Sequence, residues 1–217
     1  MTHTGLILAL SLALFAPAVG AMAQDAEPTP AQLGISATQA EIDLLWGYNA
    51  ASNAVRNHIS ELHMQPQSPE REVQLEAANK AADAVDETVH PIVRRLILAG
   101  FWRSETRNQR LDDTVWLVVQ HIDDDELKTL TLAQTEPLVK KGLFRGEEYG
   151  LLYDRIAVDA GKPQRFGSQL HCVDGRYQLY PLEDAAHVVE LRKQYGFIET
   201  LDEYVAYYKD MTCTVKP

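Results

Sequence analysis

The segment from Tyr149 to Gly161 constrains this chain more than any other, because it is apolar on two sides of a helix and still carries two opposite charges. On a helical wheel Tyr149, Leu152, Tyr153, Ile156 and Ala160 form one stripe, while Leu151 and Val158 lie on the opposite side. A helix apolar on two sides has to be covered on both, so the rest of the chain must wrap around it. Asp154 and Arg155 must then be paired and hydrogen-bonded, or line a cavity, since burying either charge alone costs several kcal/mol. A structural ion pair and part of a site are both open on this ground. The polar run continues past Gly161 and Pro163, which punctuate the helix end, through Gln164, Arg165, Phe166, Gly167, Ser168 and Gln169.

Elsewhere the sequence reads as a succession of capped helices. Thr38 with Glu41 makes a capping box, and Ile42, Leu45, Trp46, Val55, Ile59 and Leu62 recur at helical spacing to about His63. Ser68 and Pro69 open a second, alanine-rich helix carrying Val73, Ala77, Ala81, Val85 and Val89. Pro91 is expected to end or kink it, leaving a short helix to Ala99 before Gly100. From about Thr106 runs a helix whose centre, Val115 to Val119, is apolar all round and therefore central; it ends in Gln120 and His121. Asp123 to Glu126 lacks the glycine and alternating ligands of a calcium loop, so Asp123 is expected as a helix cap and no metal site is expected. The next helix carries Leu127, Leu130, Gln134 and Leu138, with a bend at Pro137.

Asp174-Gly175 predicts a two-residue hairpin turn that pairs Val173 with Arg176, Cys172 with Tyr177 and Leu170 with Leu179. Leu170, Cys172, Tyr177 and Leu179 then share one face, and Gln169, His171, Gln178 and Tyr180 the other. Two short helices follow, one from Asp184 to Gly196 and one opened by the capping box Thr200 and Glu203. The pattern predicts a mainly α fold: one helical domain over 36–217, a bundle of about seven or eight helices with a small β-hairpin near 168–180.

The start of the chain, Gly5 to Ala16 followed by Pro17 and Ala21-Met22-Ala23, reads as a signal peptide over 1–23, with an extended lead-in over 24–35. Export to the periplasm or beyond is therefore expected, with no stable membrane span after processing. In an oxidising compartment Cys172 and Cys213 are expected to pair, the plain alternative being two separate buried thiols. The net charge of -11 argues against nucleic acid as a partner, and the basic pairs Arg94-Arg95, Lys140-Lys141 and Arg192-Lys193 fall near helix ends, where the macrodipole accounts for them.

The run Trp116 to His121, then Asp154-Arg155, then Gly161 to Gln169, then Tyr180 to Asp184, resembles a bacterial family of helical domains of unknown function. Members of that family carry an aspartate-arginine pair, a glycine, and a glutamine shortly before Tyr-Gly-Thr-Gln; here Phe166 and Ser168 replace the tyrosine and the threonine. The resemblance implies a shared fold and site, and members that are secreted or lipid-anchored; it implies no activity.

No nucleophile elbow, zinc-protease helix, phosphate-binding loop or dinucleotide fingerprint is present, so no cofactor is expected. What remains is acid-base chemistry. His121 is the candidate proton carrier, with Asp154 to orient it and Arg155 to hold an anionic group, while Gln164, Gln169 and His171 are the candidate ligand-binding residues. The plain alternatives are a core histidine capping carbonyls and glutamines that hold a turn together. Two classes stay open. One is a binding or structural envelope module with a polar pocket around Asp154 to Gln169, taking a small molecule, a glycan or an envelope protein. The other is a periplasmic hydrolase or lyase using His121 and Asp154. Every tyrosine except Tyr48 lies from Tyr149 onward, which favours the binding module. If the site faces solvent, Asp154→Asn and His121→Ala should both fold with modest loss of stability.

Overall fold

A computed structural model of the protein describes residues 29–103, 108–211 and 213. The expected leader lies outside the described residues. The order of elements is α1 (Pro30–Leu33), α2 (Gln39–His63), α3 (Pro69–Leu98), a 3-10 turn (Phe101–Arg103), α4 (Gln109–His121), α5 (Asp125–Lys140), α6 (Gly146–Asp159), β1 (Leu170–Val173), β2 (Arg176–Leu179), α7 (Val188–Gln194) and α8 (Leu201–Tyr208). The fold is mainly α with one antiparallel hairpin, as the periodicity predicts.

The N-terminal half is an aliphatic bundle. α2 and α3, joined by the short turn at 64–68, pack along each other and against α4. Ile42, Leu45, Val93, Ile97, Val115, Val118, Val119 and Leu127 meet there, each at most 2 % exposed or fully buried. The one acidic group buried on the α3 stripe, Asp86, is satisfied by the Tyr48 hydroxyl at 2.7 Å and by Arg56 at 2.8 Å. Two expectations need correcting here. α3 runs unbroken through Pro91, because Val89, Ile92, Val93, Leu96 and Ile97 keep one buried stripe on both sides of it and outweigh the roughly 3 kcal/mol a mid-helix proline costs. The lead-in is not wholly extended: Thr29 and Gln32 form a capping box around the four-residue α1, and Leu33 enters the core.

Smaller differences follow the same logic. Asp124, one residue later than expected, caps α5 by accepting from the Leu127 N–H at 2.9 Å, and it also binds Arg94 at 2.8 Å and His90 at 3.0 Å. The second of the last two helices starts at its predicted capping box, whereas the first starts at Val188, because Asp184 closes a turn onto the N–H groups of Ala186 and His187.

The hairpin has the predicted register, Leu170 opposite Leu179 and Cys172 opposite Tyr177. Asp174 and Gly175 both take positive φ, 49° and 77°, as a primed two-residue turn requires. Cys172 is bonded to Cys213, which ties the chain after α8 back to the hairpin. Among the described residues no helix is long and apolar enough to cross a membrane.

Candidate functional site

The site is built on α6, whose sides are used differently. Gly150 and Asp154 face the loop at 164–168. A Cβ on Gly150 would stand 2.7 Å from Cζ of Phe197 and 3.1 Å from Cγ of Phe166, so only glycine lets both rings press on the helix. Asp154 is fully buried and accepts four hydrogen bonds: from the N–H groups of Arg165 at 2.7 Å, Phe166 at 3.0 Å and Ser168 at 2.9 Å, and from the Ser168 hydroxyl at 2.9 Å. Burial pushes its pKa above the usual carboxylate range, and these donors pull it back toward the ionised form.

Two more buried side chains complete the loop. Gln164 donates to the carbonyls of Gln169 and Tyr180, both at 3.0 Å, and accepts from the Gln169 N–H at 2.8 Å. Arg192 donates to the carbonyls of Phe166 at 2.9 Å and Glu199 at 2.8 Å, with its guanidinium over the Phe197 ring at 4.3 Å. Asp154, Gln164 and Arg192 are therefore all engaged in holding backbone.

Arg155 points elsewhere, as its 100° offset from Asp154 on a helix requires. Asp154 and Arg155 form no ion pair with each other. With Leu151, one turn earlier, Arg155 lines an open recess of about 440 Å³ between α4, α6, the hairpin and α8. Trp116, Gln120 and His121 contribute from α4, Ser168 and Gln169 from the loop, Tyr177 from β2, and Tyr204 and Tyr208 from α8. The tyrosines meet edge to face, Tyr177 with Tyr208 at 5.4 Å and Tyr204 with Tyr208 at 5.3 Å.

The polar groups of the recess are only half used. Arg155 Nε donates to Gln120 Oε1 at 3.2 Å, and among the described residues no other hydrogen bond or ion pair engages its guanidinium. Since a guanidinium only donates, the amide oxygen of Gln120 must face it, which orients the amide. Its nitrogen is then left buried without a partner, on a side chain only 4 % exposed. His121 stands exposed beside Arg155 and Arg56. Partial burial first, and the two guanidiniums second, push its imidazole pKa down to about 3. The ring is therefore neutral at pH 7.

The recess thus gathers His121, Arg155 and Gln169 from the residues singled out in the sequence. Asp154, on α6, and Gln164, in the loop, lie behind it, and His171 stacks on Tyr180 at 4.3 Å on the other face of the hairpin from Tyr177. Gln120, Tyr177, Tyr204 and Tyr208 belong to the recess and were not singled out. The signal for Gln120 was its place in the last turn of the apolar helix, next to His121. Among the described residues no group of three or more His, Cys, Asp or Glu side chains could hold a metal ion.

Fold and site together define a disulfide-clamped helical domain with a donor-rich, tyrosine-walled recess beside a hairpin. The chain belongs to a family of unknown function, DUF6624, which matches residues 40–216. No curated protein and no solved structure matches it.

Proposed function

We propose that this protein is an exported bacterial envelope module, periplasmic or secreted, that binds a small molecule in the recess between α4, α6, the hairpin and α8. The observation that carries the reading is the Arg155 guanidinium, which lines the recess on a single hydrogen bond, to Gln120 Oε1, with the Gln120 amide nitrogen sealed behind it. An arginine held in an open recess by one hydrogen bond and no carboxylate is accounted for when a ligand completes it. Export is supported by the leader pattern and by the disulfide, a bond that persists in oxidising compartments. The hydrolase or lyase reading is weaker. His121 is depressed in basicity, and Asp154 is committed to four donors in the loop, so neither serves the other as base and orienting partner.

Native mass spectrometry of the protein purified gently from its own cells tests this. The wild type should carry a non-covalent adduct that Arg155→Met loses. Adduct-free wild type, or an adduct retained in the variant, contradicts the reading.

A further inference from the structure

We infer that the ligand of this recess is a small cyclic hydroxy acid, with its carboxylate on Arg155, its ring against the tyrosines and a hydroxyl on Gln169. The inference rests on the ligand-binding reading above and names the chemistry of what binds.

Charge decides the first part. Among the described residues no Asp or Glu lines the recess and Arg155 is its one fixed charge, on a protein of net charge -11. On an acidic protein an anion needs a local cation to be held, and in this recess Arg155 supplies it. Beyond the bond from its Nε to Gln120, the guanidinium of Arg155 keeps its two terminal NH2 groups unengaged among the described residues, and a planar carboxylate accepts from that fork with both oxygens.

The α4 helix separates carboxylate from phosphate. Gln120 and His121 sit in its last turn, where the helix dipole presents its negative end. With a single arginine to offset that end, a monoanion is favoured over a dianion.

Shape and the remaining polar atom decide the rest. A recess of about 440 Å³ accommodates one ring with substituents, and Trp116, Tyr177, Tyr204 and Tyr208 offer it aromatic surface. The Tyr204 hydroxyl is already committed to the Ser168 carbonyl at 2.7 Å, so that tyrosine contributes its ring. Gln169 donates to the Ser168 hydroxyl at 3.2 Å and its side-chain oxygen accepts nothing, leaving one acceptor for a ligand hydroxyl. A sugar acid and an aromatic hydroxy acid share this chemistry.

Nitrogen-15 NMR of the disulfide-bonded protein separates the cases, reading the Gln120 amide and the Arg155 Nε–H during titration. The probes are glucuronate and 4-hydroxybenzoate, each beside its neutral amide, glucuronamide and 4-hydroxybenzamide. At least one acid should shift both signals, bind about tenfold or more tightly than its amide, and weaken about tenfold in Arg155→Met. The tighter acid assigns the source. If Arg155→Met fails to fold, Arg155→Gln carries the same comparison. An amide that binds as tightly as its acid overturns the acid class while leaving the recess a binding site. No shift from any probe at millimolar concentration also overturns the acid class. The adduct seen by native mass spectrometry, which depends on no choice of probe, judges the binding reading separately.

Discussion

The two sides of α6 differ in what they leave unfinished. On the Gly150 and Asp154 side the Asp154 carboxylate and the Gln164 amide are fully engaged, Arg192 holds two carbonyls and leaves only its Nε unpartnered, the rings of Phe166 and Phe197 touch the helix, and the loop at 164–168 is fixed by these three side chains. On the Leu151 and Arg155 side a guanidinium makes one hydrogen bond, an amide nitrogen makes none, and the space between them is open. Two oppositely charged residues adjacent in sequence, one fully buried and one half-buried, thus have opposite roles. The first side is what a fold requires of buried charge; the second is a set of groups the fold alone does not need. Stability should therefore fall on one side and binding on the other.

The largest effect that would break this comparison is at Asp154. Asp154→Ala leaves three backbone N–H groups and a hydroxyl buried without an acceptor, and urea unfolding should register a loss of about 3–5 kcal/mol. Asp154→Asn should also destabilise, because its NH2 meets donors; the modest loss expected from sequence is revised for this residue. Near-wild-type melting of both variants would place Asp154 on the open side after all. The disulfide comes next. With a sequence separation of 41, replacing Cys172 and Cys213 by serine should cost up to about 4 kcal/mol by chain-entropy arithmetic, and should loosen α8 and with it two tyrosines of the recess. Thiol titration of the oxidised, denatured protein should find no free thiol among these two.

A smaller effect is expected at Gly150. Gly150→Ala puts a methyl group into the Phe166 and Phe197 rings, and overpacking of this kind costs about 1–3 kcal/mol in a thermal melt. The same change on the open side, Leu151→Ala, removes recess lining and should weaken ligand retention with less loss of stability.

How much of this was legible in the sequence depends on how local the governing contact is. Capping boxes at Thr38 and Thr200 and the Asp174-Gly175 turn act within a few residues, and each fixes its element where the sequence places it. The α3 helix was misread at Pro91 because the force that carries it through is a buried stripe packed against α2 and α4, which no local rule contains. Asp154 was recognised as a residue needing partners, but the partners lie eleven to fourteen positions later on a loop, where spacing rules say nothing. Arg192 read as a helix-end cation; its burial under Phe197 and its two carbonyl partners come from tertiary packing alone. Gln120 carries the site's clearest polar vacancy, and nothing in a one-letter string marks an amide that will lack a partner.

His121 adds a pH dependence with a definite sign. Its folded pKa lies below the unfolded value near 6.5, so the unfolded state binds the proton more readily as pH falls from about 6.5 toward about 3. Its contribution to stability is complete above 6.5 and is lost on acidification. Subtracting the stability profile of His121→Gln from that of the wild type should reveal this slope, and parallel profiles would mean the imidazole titrates freely.

The smallest stability change is predicted at the residue on which the account turns. Arg155→Met keeps the apolar stem of the side chain and removes a half-buried cation that no carboxylate pairs. Methionine removes the one hydrogen bond to Gln120 and at the same time relieves an unpaired, partly desolvated cation, and the two effects oppose each other, so stability changes little. Equilibrium urea unfolding of ligand-free Arg155→Met beside ligand-free wild type measures this directly. The account predicts an unfolding free energy within about 1 kcal/mol of wild type, or above it. A loss of about 3 kcal/mol or more would make Arg155 a structural partner like Asp154 and contradict the division of α6 into a folding side and a binding side.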